Sequence, residues 1–199
     1  MNFLAHLSLS DDEPKLMVGN FIGDFVRGRN LASKFEPMIV TGIELHRAID
    51  HFTDTHKIVR QSKKRLAGKY GHYSGVIVDV FYDHYLSAKW TDYYPETISA
   101  FAARAYKTLH DFDAILPEFV KGFLPYMVKQ NWLVAYGSFD GLQQALTGIG
   151  RRTHISNMAD AINDLKEKYK EFDEDFSVFF PQLKEFAHNY VLSRYPEGY

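Results

Sequence analysis

The sequence predicts an all-α protein folded as one helical bundle, and three observations carry that reading. Apolar residues recur at helical spacing along most of the chain, while the strict alternation of a half-buried strand is nearly absent. The 199 residues, 46% hydrophobic and 24% charged, suit one compact domain with its own core. No linker rich in Pro, Gly or Ser, no low-complexity tract and no internal repeat interrupts them, so residues 1–199 read as a single domain.

The elements follow in order. A first helix is predicted over 14–28. A long helix then starts at Pro37, a residue at home in a first turn, and Leu45, Ala48, Ile49, Phe52, Val59 and Leu66 draw one apolar stripe along it. The stretch from Gly68 to Gly71 closes it, and the next helix runs from about Ser74 to Trp90. Further helices are expected over 96–111, 117–135, 138–149, 155–171 and 174–193.

Composition narrows the function. A formal net charge of -2 gives no global preference for nucleic acid, and no nucleic-acid partner is expected. The absence of cysteine excludes a disulfide framework, a thiol nucleophile and sulfur-ligated zinc. The N-terminus lacks a basic leader and a small-residue cleavage site, and no stretch approaches the roughly 20 apolar residues that span a bilayer. The expectation is a cytoplasmic protein without a membrane partner.

The chemistry-bearing residues concentrate in the first 85 positions. The segment Val76 to Leu86 is apolar nearly all round, as in a helix at the middle of a bundle, yet it carries Asp79, Asp83 and His84. Asp79 and Asp83 stand one turn apart on one face. Buried ionised carboxylates are costly unless paired or metal-bound, and a divalent cation is the simplest cure for two of them. The alternative is that one pairs with an arginine such as Arg47 and the other serves as a cap. His46 and Asp50 repeat the i,i+4 spacing on a strip flanking the apolar stripe of the long helix. Imidazole with carboxylate suits Mn, Fe or Zn. Asp54 lies further round, as an outer-shell group, a solvated one or a ligand to a second ion.

Asp24 and Arg27 lie close together in an otherwise apolar segment, where a local ion pair is as good an explanation as function. Asn20 and the nearby glycines permit close backbone approach. His6, alone on an apolar stretch, reads by itself as a satisfied core histidine more than as a ligand. Lys57, Arg60, Lys63, Lys64, Arg65 and Lys69 form a basic run that is either a solvated face or a steering surface for an acidic partner. Arg151 and Arg152 suit bidentate phosphate contacts or an ordinary helix terminus. Glu185-x-x-His188 occurs once, where a di-iron site needs the motif twice.

Taken in combination, Met1-Asn-Phe-Leu-Ala-His-Leu7, Gly19-Asn-x-x-Gly-Asp-Phe-Val-Arg-Gly28, Gly42-x-x-x-His-Arg-x-x-Asp-x-x-Thr-Asp54 and Asp79-Val-x-x-Asp-His-x-Leu-Ser87 resemble the acyl carrier protein phosphodiesterase family, as do Trp132 to Tyr136 and Arg151-Arg152. The resemblance implies hydrolysis of the phosphodiester that joins 4'-phosphopantetheine to a serine of holo-acyl carrier protein. It also implies a divalent metal, manganese first, and an all-helical fold related to the HD-domain phosphohydrolases. His6, Asp24, His46, Asp79, Asp83 and His84 then become the candidate metal ligands. Asp50 or Asp54 would act as base, and Arg27, Arg47 or the Arg151-Arg152 pair would neutralise the phosphate. The adjacent pairs at 50–51 and 83–84 read Asp-His, the reverse of the HD order. Lys57, Arg60 and Lys64 mark the expected docking face for the acidic carrier protein. The alternatives are a phosphohydrolase acting on a nucleotide or another small phosphodiester, and a non-catalytic module that binds a carrier protein.

Overall fold

In the computed structural model, which describes residues 1–28, 30–153, 155 and 157–196, every regular element is helical. In chain order these are α1 (Phe3–Ser8), α2 (Pro14–Ile22), α3 (Pro37–Thr55), α4 (Lys57–Tyr70), α5 (Ser74–Ala88), α6 (Trp90–Tyr93), α7 (Ile98–Asp111), α8 (Glu118–Lys129), α9 (Trp132–Ala135), α10 (Phe139–Thr153), α11 (Ala161–Glu167) and α12 (Tyr169–Leu192). Short 3₁₀ turns cover Gly23–Phe25, Gly71–Tyr73, Asp113–Ile115 and Met158–Asp160. No strand occurs among the described residues, so the fold is all-α as the periodicity predicts. No helix among them is long and apolar enough to cross a membrane.

Helix α5 is the axis of the bundle. Ile77, Val78, Phe81, Tyr82, Tyr85 and Leu86 have no exposed surface, and α1, α4, α10 and α12 pack around it. From α12, Phe172 and Phe176 meet Phe81 and Tyr82 edge-on, at ring centroid distances of 5.2 and 5.5 Å. Such offset or edge contacts suit the quadrupole of the rings.

The long helix predicted from Pro37 is in fact two. His56 takes an extended conformation (φ −69, ψ 132), and its ring Nδ1 accepts the N–H of Ile58 to cap α4. Neither Gly nor Pro marks this break, and one extended residue leaves the apolar stripe facing the same core on both sides. The predicted helix over 117–135 divides likewise at Asn131, which sits in the left-handed region at φ 46. The first predicted helix stops at Ile22 and tightens into the turn at Gly23–Phe25.

Two glycines bring α2 and α3 together. A Cβ on Gly19 would lie 2.2 Å from the Ile39 carbonyl oxygen, and one on Gly42 would lie 2.3 Å from that of Leu16. Only hydrogen at both positions permits this approach. It fixes how the side chains of the two helices meet, and the site below depends on it.

Asp83 closes the N-terminal helix onto α5. It is fully buried, and its carboxylate accepts the peptide N–H of Leu4 at 2.8 Å and of Asn2 at 3.2 Å. Burial raises its pKa to about 7, outweighing the nearby amino terminus and these N–H donors. A raised carboxyl means that the folded chain holds a proton the unfolded chain has released. The stability contribution of Asp83 is therefore greatest in acid and falls as pH climbs from about 4 to about 7, by on the order of a few kcal/mol. Urea unfolding across that range should show the fall in the parent and not in Asp83→Asn. Equal slopes would refute it.

Candidate metal centre

Five side chains from four segments converge beside α1: His6 on α1, Asn20 on α2, Asp24 in the turn after it, and His46 and Asp50 one turn apart on α3. The two imidazoles stack with centroids 4.0 Å apart, and both are almost wholly buried. Gly23 makes room for them, since a Cβ there would lie 2.3 Å from the His46 ring.

Asn20, with no exposed surface, orients both rings. Its amide Nδ2 donates to the His6 carbonyl at 2.6 Å and to Ser10 Oγ at 3.1 Å. The amide oxygen is thereby turned to His6 Nδ1, 2.9 Å away, and the backbone oxygen of Asn20 lies 2.7 Å from His46 Nδ1. Both acceptors are oxygens, so each Nδ1 carries the hydrogen and each neutral ring presents a bare Nε2. Those two nitrogens face carboxylates: His6 Nε2 stands 3.3 Å from Asp50 Oδ1, and His46 Nε2 stands 3.2 Å from Asp50 Oδ2 and 3.1 Å from Asp24 Oδ1.

Such a set fits a divalent cation. His6, His46 and Asp50 each offer one ligand atom, and these atoms lie within 4.8 Å of one another. His46 Nε2 is a buried nitrogen with no hydrogen-bond partner, although carboxylate oxygens of Asp24 and Asp50 stand 3.1 and 3.2 Å away. A lone pair in that position is what a metal takes up, and Asn20 supplies the outer hydrogen bonds that fix metal-binding imidazoles. The electrostatics agree. Burial disfavours charge on His46, yet the Asp24 and Asp50 carboxylates outweigh it and raise its pKa to about 9. His46 in turn holds Asp24 below the usual carboxylate range. Burial and the neighbouring His46 push His6 down. Positive charge is thus wanted at this point.

The other residues singled out in the sequence lie elsewhere. Asp83 is not beside the imidazoles, because peptide N–H groups occupy its carboxylate. His84 is also spent: its Nδ1 lies 2.8 Å from the Tyr136 carbonyl and its Nε2 3.0 Å from the Tyr169 hydroxyl. Asp79 lines the same cleft as the cluster, with its Oδ1 3.0 Å from the α-amino group of Met1. Asp50, expected as a base, bridges the Nε2 edges of the two stacked imidazoles. Asp54 is exposed and paired with Lys63 at 2.6 Å, outside the cleft. Arg47 donates to the carbonyls of Val26 and Gly28 at 3.0 and 3.3 Å, tying down the segment after Asp24. Arg27 and Arg151 are exposed and line neither cavity, whereas Arg152 lines the cleft.

The cleft measures about 430 Å³ and is walled by Phe3, His6, Asp24, His46, Asp79 and Arg152 among others. Half of the basic run is neutralised within the fold. Lys63 pairs with Asp54, Arg65 with Glu171 and Asp175, and Lys69 with Asp164. Lys57, Arg60 and Lys64 remain exposed on the outer face of α4.

Comparison with known proteins agrees with the motifs. The family described as acyl carrier protein phosphodiesterase matches residues 1–183. The chain belongs to that family. It is 32% identical over 191 residues to an acyl carrier protein phosphodiesterase of Photorhabdus laumondii, covering 95% of this chain and 96% of the relative. It is 34% identical over 188 residues to the Salmonella paratyphi A protein of the same name, covering 92% and 95%. The Yersinia enterocolitica relative is 29% identical over 185 residues, covering 92% and 95%. No solved structure matches the chain. In this family member, the glycines and asparagine of Gly19-Asn20-x-x-Gly23-Asp24 have separate tasks: Gly19 admits α3, Asn20 orients both imidazoles and Gly23 clears space for His46.

Proposed function

We propose that this chain is a metal-dependent phosphodiesterase that releases 4'-phosphopantetheine from holo-acyl carrier protein, leaving the apo-protein. The observation that carries the reading is the pair of buried imidazole Nε2 atoms turned by Asn20 toward Asp50. His6, His46 and Asp50 would hold the divalent cation, Mn²⁺ first, with Asp24 beside them. The chemistry it would supply is polarisation of a phosphoryl oxygen and a bound water of pKa about 7. Arg152, on the same cleft, takes the negative charge of the phosphate. Asp79 holds the first residue of the chain against the cleft. An all-helical fold with a His/Asp cluster accords with kinship to the HD-domain phosphohydrolases, and we place the enzyme in the cytoplasm with its carrier protein.

Incubation with holo-acyl carrier protein and Mn²⁺, with and without chelator, followed by intact mass, tests this. Loss of the phosphopantetheine mass is expected only when metal is available. An unchanged mass across several divalent metals would overturn the reading in favour of a small phosphodiester.

The exposed Lys57, Arg60 and Lys64 form our candidate docking face for the acidic carrier protein. Cε and Nζ of the neighbouring Lys63 come within 3.5 and 3.6 Å of where a Gly75 side chain would start, next to Val76 at the cleft. Replacing all three by Glu should raise KM about tenfold at low salt, leave kcat unchanged and matter little at 0.5 M salt, where screening shortens to about 4 Å. Steady-state kinetics at two ionic strengths decides it, and an unchanged KM places docking elsewhere.

A further inference from the structure

The cleft adjoins a second chamber of about 260 Å³, and Asn2, Phe3, Ile149 and Arg152 line both. Its character differs. Phe123 on α8 and Trp132 on α9 lie nearly parallel along it, at 6.2 Å and 4°. The side-chain amides of Gln130 and Gln144 and the Tyr136 ring complete much of the lining. Arg152, on the shared wall, is its one charged residue among the described residues. No carboxylate is among the described residues that line it. The volume is several times the roughly 30 Å³ that one water occupies.

We propose that this chamber receives the pantetheine arm of the 4'-phosphopantetheine that is released, while the serine oxygen of the carrier protein departs toward the cleft mouth. The inference rests on the function proposed above and adds where the substrate's neutral half goes. A 4'-phosphopantetheine ester is charged at one end only. Beyond the phosphate it is an uncharged chain bearing a geminal dimethyl group and two amides. With the phosphate at the His/Asp cluster and against Arg152, the space beyond Arg152 offers apolar walls for the methyl groups and two side-chain amides for the peptide-like links. The folded carrier protein is far too large for 260 Å³ and stays at the cleft mouth. Arg152 therefore stands where the charged part of the ligand gives way to the neutral part.

Gly148 provides the test. It lines the chamber, and a Cβ built on it meets nothing within 4 Å, so leucine there fills the chamber without striking backbone. Gly122 on α8 is equally open but lines neither cavity, which makes Gly122→Leu the control. Trp132 lies in the chamber wall, whereas the other tryptophan, Trp90, is 2% exposed and bonded to the Glu96 carbonyl. Intrinsic fluorescence thus reads chamber occupancy without metal or turnover.

Titrating metal-free protein with pantetheine, which has no phosphate, should give a saturable change in tryptophan emission. Gly148→Leu should weaken it at least tenfold and raise KM for holo-carrier protein at least tenfold, while Gly122→Leu should do neither. Indifference of the parent protein to pantetheine would overturn the proposal, as would a Gly148→Leu variant that binds it like the parent. Pantetheine binding without release of 4'-phosphopantetheine from holo-carrier protein would keep the chamber and sink the proposed function. Release with no pantetheine response would keep the function and sink the chamber.

Discussion

His46→Ala is expected to abolish turnover, by at least about 10³-fold, and to remove tight Mn²⁺ binding, whereas Asn20→Ala should lower metal affinity by only about 10–100-fold. The two effects separate a ligand from the group that orients it. His46 supplies a buried nitrogen with no hydrogen bond, so its removal deletes a ligand outright. Asn20 touches the opposite edges of both rings. Without its side chain, His6 loses its Nδ1 acceptor, while His46 keeps the backbone oxygen of residue 20. Equilibrium Mn²⁺ titration beside the intact-mass assay measures both. A His46→Ala protein that still binds Mn²⁺ like the parent would place the metal elsewhere. Gly23→Ala offers a route to the same ring from outside, because its methyl group must displace an imidazole 2.3 Å away.

The largest loss of stability should follow Gly19→Ala or Gly42→Ala. Each new methyl group would sit about 1 Å inside ordinary contact with a carbonyl oxygen of the partner helix, at 2.2 and 2.3 Å. Backbone cannot turn aside as a side chain does, so α2 and α3 must part. Overpacking typically costs about 1–3 kcal/mol, and a backbone clash belongs at or beyond the upper end. For a chain of this length, about 3 kcal/mol corresponds to a fall in Tm of roughly 6–12 °C. Gly68→Ala on α4 is the contrast. Its Cβ meets nothing within 4 Å, and alanine should be neutral or stabilise by up to about 1 kcal/mol. Thermal unfolding of the three variants decides this, and a Gly19→Ala protein as stable as the parent would disprove the close approach. Since α2 carries Asn20 and α3 carries His46, parting the helices should also weaken Mn²⁺ binding.

The helical class and the central place of α5 were legible in the sequence, because the spacing of apolar residues on a helix is a local property. His6, Asp24, His46 and Asp50 all stand out as polar groups in apolar surroundings, but it was the family resemblance that drew His6, Asp24 and His46 together as candidate ligands, with Asp50 as a base. Asn20 showed the same signal, an amide in a run of apolar residues, but nothing local says that its two oxygens each hold an imidazole. The break at His56 escaped because a single extended residue, with neither Gly nor Pro, leaves the periodicity intact. Asp83 and His84 show the limit most plainly. Their burial among apolar neighbours is legible in the sequence, and burial demands a partner. Which partner it is depends on contacts across the chain: Asp83 turns to peptide N–H groups 79 and 81 residues away, and His84 to Tyr136, 52 residues away. Asp50 meets His46 one turn away on its own helix, but it meets His6 only because α1 packs across the chain against it. Composition and periodicity therefore determined that buried charge needed company, and only the packing of the helices decided which groups provide it.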